Sequence, residues 1–303
     1  MSDENNYPHA NGAVQAPGYP QTKLNTVRVY KKRGHYDYRT VHSIVASTFV
    51  SHVAFTITDE DGEPTPINMP LTAVMGRYDP DDPLPEDDGD EEEYVRQQEA
   101  TVLDGPADLY LHTNAASLLY KSIREKGSVR VCVTSTKVDG VVLFFTPNGH
   151  SLNYRSAILH GDASLVSDPA EKRYAMHLLT NHMSRRRWSA TNPVSPAAMK
   201  SVQVMRVRVR SASAKIRAAN VGEFEPQLAT TAAGPREDVW TGVVPVYEVL
   251  GEPVGSGVFP ERTVQGQVEE WRVGRNEREK SYAERVAQPS EVEVKMRELV
   301  LQS

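Results

Sequence analysis

The sequence has a single cysteine and no long apolar run. Cys132 alone cannot form an intramolecular disulfide, and the chain has no Asn-x-Ser/Thr glycosylation site. No run of 18 apolar residues occurs, and the first residues are polar, without an apolar signal segment. These absences predict a cytoplasmic protein that does not enter a membrane.

The chain also lacks an excess of positive charge. Its 34 Lys and Arg residues stand against 40 Asp and Glu residues, which gives a formal net charge of −6. Binding to nucleic acid is therefore not expected. Hydrophobic residues make up 39% of the 303 residues, which predicts one folded core together with sizeable unstructured parts.

Composition divides the chain into three parts. Residues 1–22 are rich in Asn, Pro and Gly and are predicted to form a disordered arm. One domain is expected at 23–254, with an acidic, disordered insertion at about 79–105 whose charges repel one another. Residues 255–303 are predicted to be a charged tail, in which 265–286 suits a solvated helix.

Between these parts the pattern is mainly β. Strands are predicted at 53–58, 65–74, 109–112, 128–136, 141–146, 154–166 and 202–209, with a turn at 139–140, and helices at 39–47, 114–126 and 169–183. The strands do not alternate with helices, which argues against a doubly wound parallel sheet. The pattern favours a small antiparallel β-barrel with peripheral helices.

Polar side chains stand at the start of the predicted strand 154–166. Asn153, Tyr154, Arg155 and Ser156 precede an apolar run. An arginine offers a rigid fork of donors that suits a phosphate, so Arg155 is a candidate phosphate ligand. The alternative is an ordinary solvated arginine at a strand end.

A second candidate phosphate site lies where a strand gives way to a helix. Thr113, Asn114 and Ser117 stand at the predicted helix start, where unpaired N–H groups can accept a phosphate. The alternative is that these residues only cap the helix. Lys121 is a further source of positive charge near this turn.

Several other residues allow two interpretations. Trp240 could stack on a planar ring or fill the core. His52 and His112 lie in apolar strands, where a buried, hydrogen-bonded histidine is the default interpretation and a catalytic or haem-ligand role the alternative. His177 and His182 are five apart on a predicted helix and do not share a face, so no metal pair is predicted.

Eight segments occur in an order that matches one protein family. They are residues 39–44, 49–55, 67–71, 109–113 with 116–117, 138–143, 153–156, 213–217 and 239–245. Together they resemble the motifs of the flavin-nucleotide-binding proteins related to pyridoxamine 5′-phosphate oxidase, which include the nitroimidazole-resistance proteins. The resemblance spans roughly residues 27–250 and adds a closing strand at 243–249.

The resemblance implies an FMN-binding split barrel, in which a homodimer holds the flavin in a groove between its subunits. It implies a flavin-dependent oxidoreductase acting on a small molecule; the alternative is a non-catalytic module that binds or stores flavin or haem, haem being the minor cofactor candidate. A scaffold without ligand is a third alternative, because Leu118 and Leu119 replace the Arg and Lys that follow Ser117 in the family pattern. The implied cofactor-binding residues are Met69, Pro70, His112, Thr113, Asn114, Ser117, Lys121, Asn153, Tyr154, Arg155, Ser156, Lys215, Arg217 and Trp240.

The resemblance also implies a role for each group of these residues. Thr113, Ser117 and Arg155 would hold the phosphate, while Asn153 and Ser156 would touch the ribityl chain or the ring. Met69 and Pro70 would line the ring face, and Lys215 and Trp240 would close the pocket.

Overall fold

The computed structural model describes residues 17–82, 84, 91–221, 238–259 and 261–289. Its strands are β1 Gly34–His35, β2 Ser51–Thr58, β3 Pro64–Leu71, β4 Ala73–Gly76, β5 Asp108–Thr113, β6 Val129–Leu143, β7 Ser151–Leu165, β8 Gln203–Arg217 and β9 Gly242–Pro245. Its helices are α1 Tyr38–Ser47, α2 Glu91–Asp104, α3 Leu118–Lys126, α4 Pro169–Met183, α5 Pro196–Ser201 and α6 Gly266–Ala287, with short 3₁₀ helices at Lys31–Arg33 and Pro147–Gly149.

The strands form one antiparallel sheet in the order β3-β2-β6-β7-β8-β5-β4, with β1 on β8 and β9 on β6. The end strands β3 and β4 are consecutive in sequence, separated only by Thr72, but they do not pair with each other. The sheet is therefore a barrel with a gap, which confirms the predicted mainly β fold class. The single strand predicted at 65–74 corresponds to β3 and the first part of β4, which are two separate strands.

The core forms because apolar residues alternate along the three long strands. Val131 and Val133 of β6 and Leu159 of β7 are fully or almost fully buried, while the residues between them face outward. At Gly161 the pairing of β7 with β8 shifts register, and a Cβ atom there would lie 2.4 Å from the carbonyl oxygen of Arg208. The bulge therefore requires glycine.

The predicted turn at 139–140 is wrong. Strand β6 continues through these residues, and the register against β7 shifts between Val138 and Gly140, as in a β-bulge. Strand β9 pairs with β6 at Gly140, so this part of β6 is bonded on both edges. The connection to β7 falls instead at 144–150.

Packed structure begins before the predicted boundary at residue 22. Residues 1–16 lie outside the described range, but Tyr19 is buried, its ring is 4.8 Å from that of Tyr38, and its hydroxyl bonds Nε2 of His42 at 2.7 Å. Asn25 is also buried and donates to the carbonyl of Ala212. Disorder is therefore the wrong prediction for residues 17–22, whose backbone is hydrogen-bonded to Tyr36 and Tyr38 at the start of α1.

Part of the acidic insertion is a helix. Residues 83 and 85–90 lie outside the described range, but α2 packs Tyr94 and Val102 inward. These two residues are eight apart, close to two helical turns, and so lie on similar faces. The prediction of disorder was wrong for these residues, because it was based on the many Asp and Glu residues and did not consider the apolar face formed by Tyr94 and Val102.

The charged tail contains the predicted helix, since 265–286 agrees with α6. One face of α6 is buried, however, through Arg275, Glu279, Ala283 and Ala287. Their spacing of four places them on one side, so the folded domain continues beyond residue 254. No helix within the described ranges is both long and apolar enough to cross a membrane.

Candidate functional site

Arg155 lies in a buried ion network. Its guanidinium bonds both carboxylate oxygens of Asp139, at 2.7 and 3.0 Å, and it lies 3.3 Å from Glu279. Its Cζ atom also stacks 3.8 Å from the ring of Tyr282 on α6. The side chains of Arg155 and Asp139 are 14% and 3% exposed. Protein carboxylates thus accept from Nε and Nη2 of Arg155, and its role as a phosphate ligand stays a prediction.

The network continues through Lys137 on β6. The buried Lys137 ammonium lies 2.9 Å from Glu279 and 2.8 Å from Glu248, and Arg275 lies 3.4 Å from Glu248. Three cations thus face three carboxylates. Burial raises the pKa of Asp139, and the hydrogen bond from Arg155 opposes that rise. This balanced cluster fixes α6 to the barrel.

Asn153 and Arg217 are also structural. Asn153 is fully buried, and its amide donates to the carbonyls of Ala219 and Val286 at 2.8 and 3.3 Å. Its oxygen accepts from Arg217 at 2.6 Å. The side chain therefore joins β7 to the end of α6, and its contact with the ribityl chain stays a prediction.

The predicted phosphate turn is built as a helix cap. Ser117 Oγ accepts from the N–H of Tyr120 at 3.2 Å, so α3 starts at Leu118 and not at Asn114. Asn114 Oδ1 accepts from the N–H of Ala116 at 2.8 Å. Both oxygens are therefore used within the turn, and phosphate binding there stays a prediction.

Several of the remaining predicted residues lie on the surface. His112 and Lys121 are exposed and Thr113 is half-buried, so the expected burial of His112 is wrong. The same correction applies to His52 of β2, whose side chain is also exposed. Met69 packs against the core and Pro70 is exposed. Trp240 is exposed and lies over Gly242, which contradicts its role in filling the core.

Ser156 and Lys215 are brought together in a groove on the outer face of the sheet. They are paired across β7 and β8, and Ser156 donates to the carbonyl of Lys215 at 3.2 Å. Ser213 and Ile158 continue the floor, and residues 24–29 form the opposite wall of a space of about 350 Å³. The Lys215 ammonium and the hydroxyl of Ser213 can bind an anion there, while the single hydroxyl hydrogen of Ser156 is donated to the carbonyl of Lys215. We call this space the outer groove.

Exposed apolar side chains surround the outer groove. Leu24, Val29, Tyr30 and Ile158 are all exposed large hydrophobic residues. Tyr154 lies two residues before Ser156 on β7, and so faces the same side of the sheet. Apolar side chains grouped around a polar groove are typical of a surface that another molecule covers.

A larger cavity lies between α1, α2, α4 and α6, where no predicted cofactor residue is found. It has a volume of about 870 Å³. Its walls include His42, Tyr94, Val102, Tyr174, His177, Leu178, His182, Arg185, Arg186, Trp271, Arg275 and Arg278. We call it the helix-lined cavity. Sequence reasoning missed it because its walls come from four helices that are far apart in the chain.

Comparison with known proteins gives the chain a family. The family model described as pyridoxamine 5′-phosphate oxidase matches residues 37–216, more than half of the chain. No curated protein sequence matches.

Two solved structures share the fold across most of their length. The flavocytochrome Anf3 from Azotobacter vinelandii is 22% identical with a TM-score of 0.62, over 84% of this chain and 99% of that one. The FAD and haem binding protein from Mycobacterium smegmatis is 18% identical with a TM-score of 0.58, over 79% and 97%. The chain has their fold, and by the match over 37–216 it belongs to the pyridoxamine 5′-phosphate oxidase family.

Proposed function

We propose that this protein is a cytoplasmic, homodimeric FMN-dependent oxidoreductase that acts on a small molecule. The observation that carries the proposal is the outer groove, where Lys215 and Ser156 meet on the face of a split barrel that belongs to a flavin-related family. A bound flavin would supply two-electron transfer, and the protein would bind and orient it.

The chemistry of the outer groove fits a terminal phosphate. Lys215 supplies one positive charge and the hydroxyl of Ser213 supplies a hydrogen bond, and Ser156 would have to exchange its bond to the Lys215 carbonyl for one to the phosphate. FMN ends in such a phosphate, whereas FAD carries an adenosine beyond it. One of the two structural neighbours is described as an FAD and haem binding protein, so FAD is the competing cofactor.

The size of the outer groove supports a dimer. At about 350 Å³ it lies at the lower end of the range of roughly 300–1,000 Å³ for ligand pockets. A second subunit packed on the exposed Leu24, Val29 and Ile158 would enclose the rest of the flavin and exclude water from it.

Titration of the full chain with FMN and with FAD, followed by flavin fluorescence, tests the site. We expect Lys215→Ala to weaken FMN binding about ten- to hundredfold, since a charge-assisted hydrogen bond contributes about 1.5–3 kcal/mol. Lys121→Ala, beside the capping turn, is the matched control and should bind FMN like the wild type. The reverse result would place the phosphate at residues 113–117, and equal affinity for FAD would remove the preference for FMN.

Stopped-flow reduction separates an oxidoreductase from a module that only stores flavin. Bound FMN should be bleached by NADH or NADPH at about 1 per second or faster if the protein turns over. Should neither these nor another reductant act at such a rate, the storage module becomes the better description.

Size-exclusion chromatography with light scattering tests the dimer. Ile158→Asp places a charge on the proposed interface and should give a monomer. Leu118→Asp on α3 is the control, because Leu118 has a similar exposure, 45% against 39% for Ile158, but does not line the outer groove. A dimer in both variants would mean that the interface lies elsewhere.

We infer haem binding as a second candidate function, because the helix-lined cavity suits a large planar ligand. Its volume of about 870 Å³ lies near the upper end of the usual range for ligand pockets. Tyr94, Tyr174 and Trp271 lie in its walls with three histidines. The two structural neighbours are described as a flavocytochrome and as an FAD and haem binding protein. Haemin titration of the full chain, followed by the Soret band, tests this candidate.

A further inference from the structure

We propose that His182 binds the iron of a haem in the helix-lined cavity, and that Arg185 and Arg278 bind its carboxylates. This inference rests on the second candidate function. Three histidines and four arginines line the cavity. The inference selects one histidine as the axial ligand of the iron and two arginines as partners of the haem carboxylates.

His42 is excluded because both of its ring nitrogens are occupied. Nδ1 lies 2.6 Å from the carbonyl oxygen of Val102, and Nε2 lies 2.7 Å from the hydroxyl of Tyr19. A carbonyl can only accept, so Nδ1 carries the hydrogen and the lone pair of Nε2 accepts from Tyr19. Binding a metal would break this buried pair.

His177 has another role in the fold. Its Nε2 lies 2.9 Å from the amide nitrogen of Asn181, which can only donate, so the Nε2 lone pair is used. The ring is also buried edge-on between Tyr94 and Trp188, at 6.5 and 5.9 Å. These contacts fix His177 as a packing residue beside the cavity.

His182 has the arrangement that metal-binding histidines use. Its Nε2 donates to the carbonyl oxygen of Thr48 at 2.8 Å, so the lone pair is on Nδ1, for which the described residues provide no hydrogen-bond donor. Metal-binding histidines commonly donate their other ring N–H to a carbonyl in this way. The ring packs edge-on against Phe49 at 6.2 Å.

The surroundings of His182 are more suitable for haem iron than for a metal ion that is bound only by protein side chains. A bare metal ion usually takes three or four protein ligands, whereas a haem iron needs one axial side chain. Across the described part of the chain, no three His, Cys, Asp or Glu side chains converge as a metal site. The aromatic residues Tyr94, Tyr174 and Trp271 offer flat apolar walls to a porphyrin.

Two arginines of the cavity are available for carboxylates. Arg275 is committed, since it pairs with Glu248 and stacks 3.9 Å from the ring of Phe49. Arg185 and Arg278 are exposed and line the same cavity, and no carboxylate among the described residues pairs with either. A guanidinium binds a carboxylate through two parallel hydrogen bonds, so this pair suits a dianionic ligand.

Haemin titration of the full chain and of His182→Ala tests the iron ligand, with circular dichroism to confirm folding. We expect His182→Ala to bind haemin at least tenfold more weakly and to lose the histidine-ligated spectrum, which added imidazole should restore. His177→Ala is the matched control from the same helix and should keep the wild-type spectrum. If His182→Ala keeps that spectrum, or only His177→Ala loses it, the assignment of His182 is overturned.

Iron-free protoporphyrin IX tests the arginines separately from the iron. Its affinity should be at least tenfold lower in Arg185→Ala/Arg278→Ala, because the porphyrin keeps both carboxylates without the iron. Lys280→Ala is the control on α6, because Lys280 is exposed, pairs with Glu284 and does not line the cavity. Equal affinity in the double variant would overturn the carboxylate assignment. A wild-type protein that binds neither haemin nor protoporphyrin would instead reject the haem function itself, leaving the flavin proposal in place.

Discussion

Replacement of Arg155 with alanine distinguishes a structural ion pair from a phosphate ligand. In Arg155→Ala, the carboxyl group of Asp139 would lose its bidentate partner in a site where its side chain is only 3% exposed. Removal of one partner of a buried ion pair costs about 3–5 kcal/mol. We expect the lower part of this range, because Glu279 keeps a second cation, Lys137, at 2.9 Å.

That cost is large compared with the free energy of unfolding of a domain, about 5–15 kcal/mol. The double variant Arg155→Ala/Asp139→Asn should recover part of the lost free energy of unfolding, since it also replaces the buried acidic group that has lost its partner. Urea denaturation followed by circular dichroism measures both values, provided that the slope of the transition is unchanged.

Arg130→Ala provides a matched control on the same pair of strands. Arg130 of β6 lies 2.9 Å from Asp162 of β7, but these side chains are 64% and 21% exposed. Exposed pairs contribute about 0–1 kcal/mol, and Arg210 also pairs with Asp162. The free energy of unfolding should therefore change little.

If Arg155→Ala unfolds like the wild type but binds FMN ten- to hundredfold more weakly, Arg155 is a phosphate ligand and the buried network does not stabilise the fold. Loss of stability with FMN affinity retained below the transition would support the structural role.

Three further substitutions test the fold. Tyr19→Phe should lower the free energy of unfolding by about 1–3 kcal/mol in urea, because the buried Nε2 of His42 loses its donor; an unchanged value would mean that residues 17–22 add nothing. Burial lowers the pKa of His42, so the free energy of unfolding should fall as the pH drops below about 6.5, where only the unfolded state gains the proton, and a pH series with His42→Gln should show a smaller decline. Gly161→Ala should destabilise the protein by at least about 1 kcal/mol, since its Cβ would lie 2.4 Å from a carbonyl oxygen. Gly255→Ala, which meets no atom within 4 Å, is its control in the same thermal melt.

The sequence by itself determined the elements and the fold class. Alternating apolar residues predicted most of the strands, and the helix predicted at 169–183 is α4 with the same bounds. The helix predicted at 265–286 is α6 within one residue at each end. These predictions succeeded because local periodicity and capping are properties of neighbouring residues.

Only the tertiary structure decided which polar residues are buried and what they contact. The charged face of α6 looked solvated, because the partners of Glu279 are Lys137 and Arg155, more than 120 positions earlier. For the same reason the sequence offered Arg155 as a phosphate ligand or a solvated side chain, although it pairs with Asp139 across β6 and β7. His177 and His182 share α4, but only the packing of α1 against this region brings His42, more than 130 positions earlier, to the same cavity. Long-range packing sets these contacts, so no local pattern contains them.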